Sequence, residues 1–416
     1  MISIFTPVHA KAMPFVRETY ESLKAQTVTN WEWVTVTNGG GFIPEDIAAD
    51  PRVKVFAIAD DDSAHNRIGR LKGAACAFAT GDILVELDAD DILVPTALEE
   101  IELAFVDPQI AMAYSNSAEF QDGTWEGRAY GEQHGWQTRP FTYEGHDLIE
   151  MVAWPVSSQM MRFIFWAPNH VRAWRTEAYR AIGGHDASIK TGDDHDLCCR
   201  TYLAYGQQGF KHIDKCLYVY RLHEQNSCTT NNSEVQEQTL RNYLKYSRDM
   251  AVRWSNDNGF GLADLGGAHC EWPAFGQLPP GIDLNLPWPI ADNSVGVLRA
   301  SFVFNRLIDP IHAMNEAYRV LAPGGWLFLD MPSTDGRGAF QDPRSKSFWN
   351  ENSAHYYTNS AYAHQIPEFT GRFQNSRTVT FFPTELDRVN NTPVVQMDFI
   401  AVKGEYAERP VGEVLI

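Results

Sequence analysis

The sequence predicts an α/β protein of two units, each built on a mainly parallel sheet. Short apolar runs alternate with helical stretches from the first residues onward, the pattern of strands joined by crossover helices. Several of those runs end abruptly in polar residues, at the sheet edge where doubly wound folds bind ligands. The alternation then restarts near residue 259, after a polar helical stretch. At 416 residues and 44% hydrophobic, the chain suits about two or three domains.

The elements of the first unit follow in order. Residues 2–8 form a strand ending at Pro7-Val8, and a helix follows through Tyr20 and Leu23. A second strand, 33–37, runs into Asn38-Gly39-Gly40-Gly41, and a third spans 53–57. A helix covers roughly 66–79, and a fourth strand opens the stretch Asp82-Ile83-Leu84-Val85-Glu86-Leu87-Asp88-Ala89-Asp90-Asp91. There the chain passes within one residue from apolar to three carboxylates, as a cation site at a strand end requires. The same pattern also serves turns and helix caps, and Asp91 is a candidate N-cap for a helix near Pro95. Thr6, Asn38 and Asp88 fall at the ends of three different strands, which favours a shared ligand edge.

Composition narrows the partners. The net charge of -19 works against a polyanion such as nucleic acid. The six cysteines lack CxxC pairs and read as reduced thiols, with no zinc or disulfide framework. No run is apolar enough to span a membrane, and no secretory leader is evident, so a cytoplasmic location is expected.

Several motifs of residues 1–228 resemble the family 2 glycosyltransferases of GT-A fold. The matching pieces are Thr6-Pro7-Val8, Gln26-Thr27 with Trp31-Glu32-Trp33-Val34, Ala79-Thr80-Gly81-Asp82, and Leu87-Asp88-Ala89-Asp90-Asp91. Gly183-Gly184-His185-Asp186 and Gly192-Asp193-Asp194-His195-Asp196-Leu197 match later motifs. The resemblance implies inverting, metal-dependent transfer from a nucleotide-sugar donor to an acceptor hydroxyl. It makes Asp88, Asp90 and the later His223 metal ligands for Mn²⁺ or Mg²⁺, and Asp194 the general base beside Asp193. Thr6, Pro7, Asn38, Arg67, Lys72, Asp88 and Ala89 would hold the donor. The chain departs from the family at Asn38, where an acid usually meets the base; an amide both donates and accepts, which leaves room for a base other than uracil. Asp186 and Asp196 are expected to be caps or ion-pair partners.

Residues 111–182 should carry acceptor specificity. Trp125, Trp136, Trp154, Trp166 and Trp174, with Phe163 and Phe165, supply faces on which sugar rings stack, although burial in the core is the commoner fate of such rings. One or two of them are expected to touch the acceptor, which is a glycan, a protein or a small molecule. Oligomeric state is left open, a homo-oligomer included.

Residues 229–258 read as a helical linker, 259–403 as a second, smaller Rossmann-like unit, and 404–416 as a tail. The expected strands are 262–268, 281–284 and 295–300, with a helix over 311–320 leading to Ala322-Pro323-Gly324-Gly325. This stretch resembles a class I methyltransferase that uses S-adenosylmethionine. The resemblance points to Asp264, Gly266, Gly267 and Asp283 as a possible cofactor site. The glycine turn is incomplete, and Pro273, Pro279 and Pro280 disfavour a helix after it. Three readings stay open: a glycosyltransferase with a degenerate second unit, a bifunctional glycosyl and methyl transferase, and a non-catalytic sugar-binding or assembly module.

Overall fold

The computed structural model describes residues 1–58, 67–131, 134–226, 230–266, 276–277 and 283–404. It divides into two compact units, Met1–Met250 and Ala251–Ile416. The polar stretch expected to link them forms the helix Asn232–Asp257, whose residues up to Met250 belong to the first unit.

The first unit is organised on four parallel strands, β1 (Ile2–Val8), β2 (Trp31–Thr37), β3 (Val53–Ala57) and β4 (Ile83–Glu86), in the order β3-β2-β1-β4. All seven residues of β2 are buried, as expected of a strand covered on both faces. The helix Val16–Lys24 buries Val16, Thr19, Tyr20 and Leu23, a stripe one helical turn apart. The helix Ile68–Phe78 starts at a tight crossing, where a Cβ on Gly69 would lie 2.2 Å from the Asp186 carbonyl oxygen.

Beyond β4 the sheet becomes mixed. After the short β5 (Ile92–Leu93) come β6 (Met112–Gln121), the short β7 (Glu126–Arg128), the hairpin of β8 (Gln137–Tyr143) and β9 (His146–Val152), then β10 (Arg172–Arg175) and β11 (Phe210–Leu222). β10 lies between β4 and β6 and is antiparallel to both. Its reversed direction brings its first residue, Arg172, to the edge where β1, β2 and β4 end. β11 runs parallel to β6 and carries β5 antiparallel on its other side.

The second unit holds a six-stranded sheet in the order β13-β12-β14-β15-β17-β16. Its strands are β12 (Gly261–Asp264), β13 (Gly276–Gln277), β14 (Val295–Ser301), β15 (Leu321–Pro332), β16 (Phe373–Phe381) and β17 (Val394–Ala401). β12 to β15 are parallel, and β17 and β16 close the edge antiparallel. The helix Pro310–Val320 packs Ala313, Met314, Ala317 and Val320 into the core.

Two expectations change. Asp283 and Leu284 lie in a turn, and the described neighbour of β12 is β13. Pro323-Gly324-Gly325, read as a turn before the strand, instead loops out inside β15: Leu321 pairs with Val295, and pairing resumes at Trp326 with Val297. Gly324, at φ +76°, permits that bulge.

Candidate active site

The carboxyl edge of the first sheet opens into a cleft of about 740 Å³. Pro7, Asn38 and Lys72 come to it from the first strands and the helix behind them. Asp88, Ala89 and Asp90 follow β4, and Asp193 and Asp194 begin the helix Asp193–Tyr205. His223 follows β11. These residues are distant in sequence, and the topology gathers them.

Beneath the cleft runs a line of alternating buried charges. Glu86, at the end of β4, accepts from Lys72 Nζ on one oxygen and from Arg172 Nε on the other, the latter at 2.7 Å. Arg172 Nη1 donates to Asp194 Oδ2 at 2.6 Å, and Nη2 donates to His170 Nε2 at 2.7 Å. Burial opposes ionisation of Glu86, but Arg172 and Lys72 outweigh it and hold the carboxyl well below its ordinary range. The same balance sets Asp194: burial raises it, while Arg172 and Lys72 bring it down to about 2. His170 is pushed down to about 3 by burial and by Arg172, so its imidazole is neutral and accepts the guanidinium proton.

Asp193 behaves oppositely to its neighbour. Its side chain is 2% exposed, with Oδ2 3.4 Å from His185 Nε2, and burial raises it to about 7 against the pull of Lys72. Asp88 rises to about 6, through burial first and then repulsion from Glu86 and Asp90, against Lys72. Asp194 is therefore the ionised and more accessible carboxylate of the pair at the helix start.

Asp90 Oδ2 lies 2.9 Å from His223 Nε2, whose Nδ1 accepts from the Gln225 amide at 3.3 Å. Asp88 lies 3.9 Å from Lys72 Nζ and 3.8 Å from His170 Nε2. Among the described residues no group of three His, Cys, Asp or Glu side chains stands ready to hold a metal ion. Of the expected trio of Asp88, Asp90 and His223, Asp90 and His223 are in direct contact and Asp88 lines the same cleft. One carboxylate and one imidazole fit a divalent cation whose remaining ligands are substrate phosphate oxygens and water.

Other expectations shift for physical reasons. The Thr6 hydroxyl lies under the cleft, donating to the Leu87 carbonyl at 2.7 Å and accepting from Trp33 Nε1 at 2.8 Å. Lys72 reaches the cleft but is tied to Glu86. Arg67 lines a depression beside Asp186 that shares Lys190, Thr191 and Glu234 with the cleft. Asp91 is no helix cap: it is fully buried, accepting from the Tyr218 hydroxyl and the Arg221 amide, each at 2.7 Å. Asn38 lines the cleft, and its buried Oδ1 has no hydrogen-bond partner among the described residues. Asp196 pairs with Arg200, and Asp186 accepts from Ser188. Of the aromatic residues singled out between 111 and 182, Phe165 lines the cleft, whereas Trp174 and Trp136 are buried and Trp125 stacks on Phe120. Arg172, Glu86 and His170 were not anticipated. An acid inside the apolar run Ile83-Leu84-Val85-Glu86-Leu87 was their one sequence signal.

In the second unit three of the expected cofactor residues, Asp264, Gly266 and Asp283, lie among the described residues. Asp264 is buried at the end of β12, where its Oδ2 accepts from Arg299 at 2.8 Å and its Oδ1 from the Gly266 amide at 2.9 Å. Asp283 is exposed and accepts from its own neighbour Asn285. Gly267 lies outside the described residues. The four described free cysteines, Cys76, Cys198, Cys199 and Cys216, are all buried. No helix among the described residues is long and apolar enough to cross a membrane.

Residues 3–165 match the model of glycosyl transferase family 2, and residues 283–329 match a methyltransferase domain, a span that begins after the glycine turn. The chain is similar to the O-antigen biosynthesis protein RfbC of Myxococcus xanthus, 27% identical over 53% of this chain and 16% of that protein. It is also similar to chondroitin synthase of Escherichia coli, 25% identical over 55% of this chain and 30% of the relative. Hyaluronan synthase of Pasteurella multocida is 24% identical over 55% of this chain and 21% of its own length. The chain thus spans less than a third of the length of these relatives. The solved structure of S. aureus TarS 1-349 aligns with a TM-score of 0.43 at 14% identity, over 62% of this chain and 70% of that one.

Proposed function

We propose that the first unit transfers a sugar from a nucleotide-sugar donor to an acceptor hydroxyl with inversion, aided by a divalent cation. The observation that carries this reading is the arrangement of the cleft, in which Asp90 and His223 form one acidic pair and the ionised Asp194 stands apart, hydrogen-bonded to Arg172. A single displacement needs one ionised carboxylate for the acceptor proton and separate groups for the leaving diphosphate. Asp90 and His223 are the residues that would hold the cation. When bound, a cation neutralises charge developing on the diphosphate.

The chain's own groups supply the rest. Asp194 accepts the acceptor hydroxyl proton, and Arg172 orients its carboxylate. Lys72, fixed by Glu86, gives a positive field at the cleft floor. Asn38 offers its unpartnered oxygen to the base, which favours a base presenting an N–H group.

Incubation of the full chain with nucleotide sugars and a panel of acceptors, followed by NMR of the product anomer, tests the reading. An inverted anomeric centre formed only with Mn²⁺ or Mg²⁺ present supports it. A retained anomer, or equal rates after chelation, contradicts it. The second unit is read as a methyltransferase-type scaffold, because Asp264 is committed to Arg299 and Asp283 stands at an exposed turn.

A further inference from the structure

One buried carboxylate in the cleft has no role in donor chemistry. Glu119 is 8% exposed and lines the cleft from β6, where alternation places Ala118 and Phe120 in the core on the opposite face. Its cross-strand partner on β11 is Tyr220, which also lines the cleft. Burial raises its carboxyl above the ordinary range, while a hydrogen bond from Tyr130 pulls the other way.

Beside it stands an open aromatic face. Phe165 is 37% exposed and lines the cleft, although large apolar rings usually avoid water. Its ring is held from behind: Tyr130 lies 5.1 Å away, Trp136 at 5.7 Å and Trp166 at 5.5 Å, measured between ring centroids. With His134 at 5.7 Å, these neighbours fix the ring, which keeps its exposed part at the cleft.

We infer that Glu119, Tyr130 and Phe165 form an acceptor subsite for a neutral or amino sugar. The C–H face of a pyranose packs on Phe165, and the Glu119 carboxylate accepts from the sugar's hydroxyl or amino group. A uronic acid is disfavoured there, because its carboxylate would face Glu119, a repulsion that Arg128, the cross-strand partner of Glu119 on β7, offsets only in part. This rests on the reading of the cleft as a glycosyl transfer site, and it supplies the acceptor side of that reading.

Two measurements on the full chain separate the claims. Saturation-transfer NMR with N-acetylglucosamine, methyl galactoside, glucosamine and glucuronic acid reads the subsite without any donor. The first three should bind and glucuronic acid should bind more weakly, and Phe165→Ala should abolish binding. Glu119→Gln should keep the neutral sugars and lose the preference for glucosamine. In transfer assays Phe165→Ala should raise the acceptor KM by about tenfold, the scale of one lost aromatic contact, while donor affinity stays at the wild-type value. Melting temperatures verify that both variants fold. Unchanged saccharide binding in both folded variants, or preferential binding of glucuronic acid, overturns the subsite. Saccharide binding that follows the predicted pattern in a protein with no affinity for nucleotide sugars upholds the subsite and overturns the transferase reading instead.

Discussion

Arg172 Nη1 donates to Asp194 Oδ2 at 2.6 Å from a guanidinium whose Nε already serves Glu86. One side chain at the start of an antiparallel strand thus joins the end of β4 to the start of a helix more than a hundred residues later in the chain. The contact explains how a carboxylate removed from bulk water stays ionised.

That link makes Arg172 a positioning residue with a defined signature. Arg172→Lys keeps the charge but loses the fork that reaches both carboxylates, so kcat/KM should fall by roughly one to two orders of magnitude. Because Arg172 holds Asp194 down, the acid limb of the pH–rate profile should move to higher pH. Arg172→Met removes a partner from the buried Glu86 and should cost about 3–5 kcal/mol of stability. A pH–rate profile of the lysine variant that overlays the wild type would refute the role.

Asp194→Asn keeps the shape and loses the base. Transfer should drop by roughly 10²–10⁴-fold with donor affinity intact. Single-turnover transfer and donor titration read the two quantities separately.

Asp193 predicts a stability trend. Its carboxyl is raised from an ordinary 3.8 to about 7, so between those values the folded state holds a proton that the unfolded chain has released. This contribution makes stability fall as pH rises from about 4 to about 7, and it is constant above. Asp194, lowered to about 2, acts in the other direction: it stabilises above its ordinary value and loses that contribution as pH falls toward 2. Asp193→Asn should therefore melt progressively higher than wild type as pH is raised through that window. A melting-temperature difference that does not change with pH would contradict the assignment.

Asp91, read from sequence as a possible helix cap, instead accepts from Tyr218 and Arg221, and Asp264, a candidate cofactor residue, is paired with Arg299. Asp264→Ala takes the ion-pair partner from buried Arg299 and should destabilise the second unit by about 3–5 kcal/mol. S-adenosylmethionine should leave the wild-type melting curve unmoved. A clear shift with that cofactor would restore a binding role to the second unit.

The sequence showed most of the parallel strands because continuous apolar runs announce strands covered on both faces. It also exposed Asp88 and Asp90, since carboxylates where an apolar run stops are conspicuous, whereas Asp194 stood out only through the resemblance of Gly192-Asp193-Asp194 to a family motif. Three things stayed hidden. Arg172 reads as an ordinary strand residue, and only the reversal of β10 between β4 and β6 delivers it to the ligand edge. Lys72 was expected to hold the donor, and its pairing with Glu86 appears only once the helix is packed on the sheet. Asp91 belongs to the same acidic run as Asp90 but points to β11, because strand pairing and not the local run decides which face each carboxylate meets.

Calorimetric titration of the full chain with a panel of nucleotide sugars, with and without Mn²⁺, on wild type and Asp90→Ala, tests the central claim most directly. The account predicts metal-dependent binding of at least one donor, weakened at least about tenfold in Asp90→Ala, the order of one lost ionic ligand. Metal-independent binding of equal strength in both proteins, or binding of none of the donors, would contradict it.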